Sequence, residues 1–329
     1  MDAFKGLDAV QRQALKRVDA VQKRIRPLSV AVATYKKFSD DQSSNYAAMI
    51  AFWAFFSIFP LLLVLVTVLA WVLPASTKDS VLDRIAQMFP LLDTNSIRGL
   101  SGSAWALVLG LATSLWSGLS VVQTIQSAFD SVWEVPYYRR SGLVKQVRKS
   151  IFVLATIGVG LVLTTLIAGL AASTASGVHL GVLGRIVGYV AAGVLDVGLF
   201  LASFRILTDA KVTTRDVMPG ALLSGSVFYI LEQVSTRVIS NQLKNAQTTY
   251  GHFATVIVIL WWFYLTAMVT LLGAQLNVVL MTHLYPRSLV DAPQTEADER
   301  ALQAYARERA YLSGEKIEAH MARGKNKPP

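Results

Sequence analysis

The sequence predicts an all-α polytopic membrane protein with six transmembrane helices, and three observations carry that prediction. Apolar runs of the roughly 20 residues that a helix needs to cross a bilayer recur at 47–73, 104–129, 151–172, 186–207, 217–238 and 253–281. The composition agrees: 53% of the 329 residues are hydrophobic, 16% are charged and the mean hydropathy is +0.45. An ordinary globular domain carries about 25% charge. Finally, no segment alternates with the period of two that an outer-membrane barrel requires.

The basic residues set the orientation. Nine lysines and arginines precede the first run, five lie in 139–149, three in 205–215 and eight beyond residue 285, which gives 25 on one side. The opposite side holds six: three between runs 1 and 2, one between runs 3 and 4, and two between runs 5 and 6. The positive-inside rule therefore predicts an even number of spans with both termini in the cytoplasm. The net charge of +10 then faces anionic lipid headgroups on that side, rather than nucleic acid.

Three regions follow: a cytoplasmic or interfacial arm (1–40), the six-helix domain (41–285) and a charged tail (286–329). No cleavable leader precedes the first run. In the arm, Phe4, Leu7, Ala14, Val18, Val21 and Ile25 recur at helical spacing with basic residues between them. That pattern fits an amphipathic helix on the membrane surface and equally a helix packed on the loops or on a second subunit. In the tail, Thr295 three residues before Asp298 reads as a capping box, with a helix to about residue 312 and a disordered end.

Within the spans, Pro60 predicts a kink in the first, with Ser57 placed to bond the nearby backbone. In the second, Thr113, Ser117, Ser120 and Thr124 share one helical face. That face is either a packing surface or the wall of a hydrated cavity. Asp196 lies ten residues from either end of the fourth span, near the bilayer midplane, where a carboxylate costs at least about 2.5–3.5 kcal/mol. Tyr189, Ala192, Gly193 and Ser203 share its face. Such a residue is a functional candidate by default, or else a carboxyl that locks two helices. Glu232 in the fifth span is a second buried candidate, and neither Arg205 nor Arg237 is placed to neutralise Asp196. In the sixth span, Thr266, Thr270, Gly273 and Asn277 form one face, and Gln275 lies on another.

Three stretches together resemble the YihY/virulence factor BrkB family of bacterial inner-membrane proteins. They are AFWAFFSIFPLLL, FRILTDAKVTTRDVMPGA and YGHFATVIVILWWFYLTAMVTLLGAQLN. The resemblance covers roughly residues 35–285, with Gln275 standing where the family often shows glutamate. It implies six helices with cytoplasmic termini, a link to virulence, and export of lipids or lipopolysaccharide precursors by some members. It also brings an old ribonuclease BN label, generally regarded as a misassignment. The residues speak against a nuclease: His179, His252, His283 and His320 are far apart, without the ligand spacing of a metal site.

The residue pattern therefore predicts a non-enzymatic transporter or flippase for a lipid or another amphipathic substrate. Its candidate pathway comprises Asp196, Glu232, Ser117, Ser120, Thr124, Tyr189, Gln275 and Asn277. No metal or cofactor is implied, and the absence of a Walker motif excludes ATP hydrolysis by this chain. A non-transporting scaffold that binds partners through its arm and tail is the alternative. Small-residue faces on spans 2, 3 and 6 serve intramolecular or intersubunit packing equally well, so a homo-oligomer stays open.

Overall fold

The structure is a computed structural model that describes residues 19–72, 104–142, 144–153, 155–156, 182–250, 253–289 and 294–320. Its named helices are α1 (Arg26–Asp40), α2 (Ser43–Val72), α3 (Ala104–Val132), α4 (Val182–Leu207), α5 (Thr214–Tyr250), α6 (Phe253–Met281) and α7 (Glu296–Glu308). Residues 19–24 and 144–153 are also helical, and no strand occurs among the described residues. Four described helices are long and apolar enough to cross a membrane: Leu107–Val132, Ile186–Leu207, Thr214–Val234 and Val256–Met281. The first predicted span lies within α2, one continuous helix of 30 residues and about 45 Å in length. Most of the third predicted span, and residues 1–18 of the arm, lie outside the described residues.

Helix ends depart from the hydropathy limits where polar chain remains helical. The fifth run ends at 238 by composition, yet α5 continues through the polar stretch SNQLKNAQTTY to Tyr250. The tail helix is shorter than predicted and stops at Glu308, after which Glu315 accepts the backbone N–H groups of Tyr311 and Leu312. Its start is the predicted capping box: Thr295 and Asp298 satisfy one another's backbone donors.

α6 is the hub, packing on α1, α2, α3 and α5, while α2 pairs with α3 and α4 with α5. The buried core lies at the end where α3, α4 and α6 finish, and it includes Phe129, Trp133, Phe204, Leu207, Leu271 and Val278. Elsewhere Trp105, Leu115, Val190, Val194 and Ile230 are exposed. This is the reverse of a water-soluble bundle, and it is what a lipid solvent permits. α3 and α6 end alike. Val135 N–H reaches Asp130 C=O at 2.8 Å and Leu284 N–H reaches Val279 C=O at 3.0 Å. Glu134 and His283, both at φ 54, hold the left-handed position of this closing motif, where glycine is usual.

The α5–α6 contact explains part of the sixth-span stripe. Asn277 Oδ1 accepts the Gly220 N–H at 2.6 Å, and Ser224 Oγ donates to Val269 C=O at 2.9 Å. Backbones meet here because both helices place glycine at the crossing. A Cβ on Gly273 would lie 2.7 Å from Gly220 C=O and against Ser224 Oγ. Thr266 and Thr270 instead donate to carbonyls of their own helix, as Ser57 does to Ala54 C=O near Pro60.

Gly273→Ala is accordingly expected to lower stability by about 1–3 kcal/mol, the usual cost of overpacking. Gly198→Ala, where a Cβ meets nothing within 4 Å, should be neutral or stabilise by up to about 1 kcal/mol. Thermal unfolding midpoints in detergent compare the two directly.

Candidate functional site

Two polar centres emerge, one at membrane depth and one at the core end of the bundle. The first is built by α4 and α5. Gly225 brings α5 against Val197, where an added Cβ would stand 2.7 Å from the Val197 Cα. Gly193 leaves room for the Tyr229 ring, which lies 3.7 Å from the position its Cβ would take. This close crossing turns Asp196 inward: it is 2% exposed, and its Oδ2 finds no hydrogen-bond partner. Glu232 acts on it electrostatically, and Tyr229 lies within electrostatic reach of Tyr189, Asp196 and Glu232. On the outward side of the same crossing lies a groove of about 490 Å³, lined by Val190, Val194, Val197, Leu222, Tyr229 and Ile230. Tyr229 therefore belongs to both the groove and the acid cluster.

The second centre surrounds Lys37, which is fully buried. Its Nζ lies 2.7 Å from Glu134 Oε1 and 2.9 Å from Asp41 Oδ2, with the ammonium 5.1 Å from the centre of the Tyr305 ring. Gln275 Nε2 donates to Asp41 Oδ2 at 2.7 Å and to Ser43 Oγ at 2.9 Å. Burial pulls the Lys37 ammonium down, but Glu134 and Asp41 outweigh it and hold the group above its ordinary value. Burial also opposes ionisation of Asp41 and Glu134. With both oxygens in contact with one ammonium, the ionised cluster is the state that the geometry supports.

A neighbouring ion cluster extends this centre into the tail. Arg287 contacts Asp298 and Asp40 at 3.0 Å each, and Lys36 Nζ reaches Asp298 at 3.1 Å. Asp298 also accepts the Ser288 N–H at 2.9 Å and both donors of Thr295. Burial alone would raise its carboxyl, yet these donors together hold it well below the ordinary carboxylate range. At the foot of α4, Asp209 accepts from Ser141 and Lys149, and its own N–H donates to Asp130 Oδ1 at 2.8 Å.

The predicted pathway residues therefore divide. Asp196, Glu232 and Tyr189 gather at α4–α5. Ser117 and Thr124 are buried on α3, and Ser120 is half-buried beside them. All three hydroxyls donate to carbonyls of their own helix, so the stripe makes no cross-helix bond through them. Gln275 belongs to the Lys37 cluster and Asn277 to the α5–α6 contact. Lys37 and Arg287, counted with the residues that face headgroups, point into the protein instead. Sequence reasoning missed the cluster because Lys36 and Lys37 read as two more charges of a basic arm. The available signal was that Lys37 and Asp41 stand one helical turn apart. Among the described residues, no three His, Asp or Glu side chains group to hold a metal ion.

An all-helical chain with long apolar helices and an acid centre at span depth defines a membrane protein. Comparison with known proteins then supplies the family. The chain belongs to the family described as Virulence factor BrkB, whose profile matches residues 34–298. It is similar to YfkH of Bacillus subtilis (strain 168), named as a ribonuclease-like protein, at 27% identity over 75% of this chain and 93% of that one. A UPF0761 membrane protein of Pseudoalteromonas translucida (strain TAC 125) is 23% identical over 63% of this chain and 66% of its own length. Another, of Xanthomonas axonopodis pv. citri (strain 306), is 24% identical over 78% of this chain and 62% of its own. The matches thus span about two thirds of these two membrane proteins. No solved structure matches the chain.

Replacing Lys37 by Met strands two buried carboxylates, which should cost about 3–5 kcal/mol. Combining it with Glu134→Gln should recover part of the loss, as read by the thermal midpoint in detergent. Asp298, with its folded value depressed, stabilises the fold above its unfolded value of about 3.9. That contribution is lost as pH falls through the lower folded value. The stability advantage of the wild type over Asp298→Asn should therefore be constant from pH 7 to about 4 and shrink below it. A pH series of unfolding midpoints checks this.

Proposed function

We propose that the chain sits in the bacterial inner membrane with six spans and both termini in the cytoplasm. In this reading it moves a lipid or another amphipathic molecule between leaflets along the α4–α5 groove. The charge asymmetry of 25 basic residues against six supports the orientation and a contact with anionic headgroups at the inner face. The observation that carries the transport reading is Asp196, 2% exposed in mid-span with an unpartnered oxygen. Tyr229, which lines the neighbouring groove, lies within its electrostatic reach. Acyl chains can stay in the bilayer along the apolar lining while a headgroup meets the polar groups behind Tyr229. Four histidines far apart in the sequence speak against a metal-dependent nuclease, whatever the name attached to YfkH.

The packing of the tail on α1 through Arg287, Asp40 and Asp298 favours a second reading, a scaffold that presents its ordered termini to partners. Asp196→Asn separates the two. Under the transport reading, purified protein in liposomes moves fluorescent lipid across the bilayer. The variant then loses at least about tenfold in rate, the worth of one hydrogen bond to a charged group, with its expression and elution profile intact. Movement no faster than in empty vesicles, across several lipid classes and with a pH gradient imposed, eliminates transport and leaves the scaffold.

A further inference from the structure

The α4–α5 centre also specifies a headgroup, an inference that rests on the transport reading for its site. A groove that carried any lipid indifferently would need no charge behind it. Here Glu232 acts electrostatically on Asp196, and Tyr229 lies within electrostatic reach of both acids and of Tyr189. Asp196 Oδ2 is a buried acceptor without a donor, and such an oxygen costs free energy until one arrives. Tyr229, shared by groove and cluster, offers its ring to a passing cation.

We infer that the α4–α5 groove accepts a lipid with a primary ammonium in its headgroup. The ammonium passes the Tyr229 ring and donates to Asp196, while an acyl chain lies along Val190, Val194, Leu222 and Ile230. Three features of a primary ammonium match the site: its positive charge, its three donors and its small size. A quaternary ammonium has the charge but no N–H, so it cannot satisfy Asp196. A headgroup with hydroxyls and a net negative charge supplies donors but brings a charge of the same sign to Asp196.

The test uses full-length protein in detergent, titrated with phosphatidylethanolamine, phosphatidylcholine and phosphatidylglycerol and read by native mass spectrometry. The same protein in liposomes reports translocation of each lipid. Phosphatidylethanolamine should bind about tenfold more tightly than the other two. Asp196→Asn should abolish that preference, whereas Lys145→Gln, an exposed change in the 144–153 helix, should leave it intact. If Asp196→Asn does not fold, Val194→Trp fills the groove from its exposed side and should remove the preference. Equal binding of the three lipids, or a preference that survives a filled groove, overturns the inference. Preferential binding without translocation upholds the headgroup assignment while the transport reading falls. Translocation of all three lipids at one rate, without a binding preference, does the reverse.

Discussion

The fold depends on a single buried ammonium. Lys37 sits on α1, Asp41 on the turn into α2, Glu134 just beyond α3 and Tyr305 on α7, and Gln275 of α6 reaches the same site through Asp41. Four stretches distant in sequence, around residues 37–41, 134, 275 and 305, thus converge on one charge. Helices in lipid gain no hydrophobic stabilisation from touching one another, so their association needs other directional forces. A lysine excluded from water is tolerable only with its counter-charges in place. Each element that contributes a partner is therefore held in register by the others. Glu134 illustrates the coupling, because its left-handed backbone is a conformation that a residue with a Cβ adopts at a cost. The closing turn of α3 that imposes this conformation also aims its carboxylate back at Lys37.

The arrangement separates a rigid end of the molecule from a looser one. α1, α2, α3, α6 and α7 share the ion clusters and most of the buried core. α4 joins that end through Phe204, Leu207 and the Asp209 bonds at its foot. Towards mid-span its neighbour is α5, met through Gly193 and Gly225 rather than through large interdigitating side chains. Among the described residues, the acid centre thus lies apart from the ion clusters.

The helices were legible because lipid imposes a length and a composition on any chain that crosses it, and the tail capping box because its three-residue spacing is local. Asp196 was legible for a related reason, since a carboxyl in an apolar run is buried at a cost whether it works or locks two helices. Lys37, Arg287 and Asp298 were not, because outside the spans a buried charge and a solvated one look alike in sequence. Only the tertiary fold brings Glu134 to Lys37 across 97 positions and Gln275 to Asp41 across 234. The serine and threonine stripe on α3 was read as one face, of which Ser117 and Thr124 are buried and Thr113 is exposed. Its hydroxyls bond backwards within the helix, however, an option open to every helical serine or threonine, so their presence alone carried no information about partners.

Gln275 shows how the two centres divide the chemistry of the chain. Its amide is buried and donates to both Asp41 and Ser43. A carboxylate at this position has no N–H to offer Asp41, and it would add a third negative group where one lysine already serves two. An amide removes that conflict, so the position is fitted to hold the cluster together rather than to carry a proton. Asp196 has the opposite surroundings: another acid within electrostatic reach, the Tyr229 phenol near both, and an oxygen left without a donor. In the Lys37 centre the ammonium meets both of its carboxylates, as a structural joint should, although Gln275 Oε1 has no hydrogen-bond partner. In the other, Asp196 Oδ2 is a buried oxygen without a hydrogen-bond partner, which a donor arriving from the groove would satisfy.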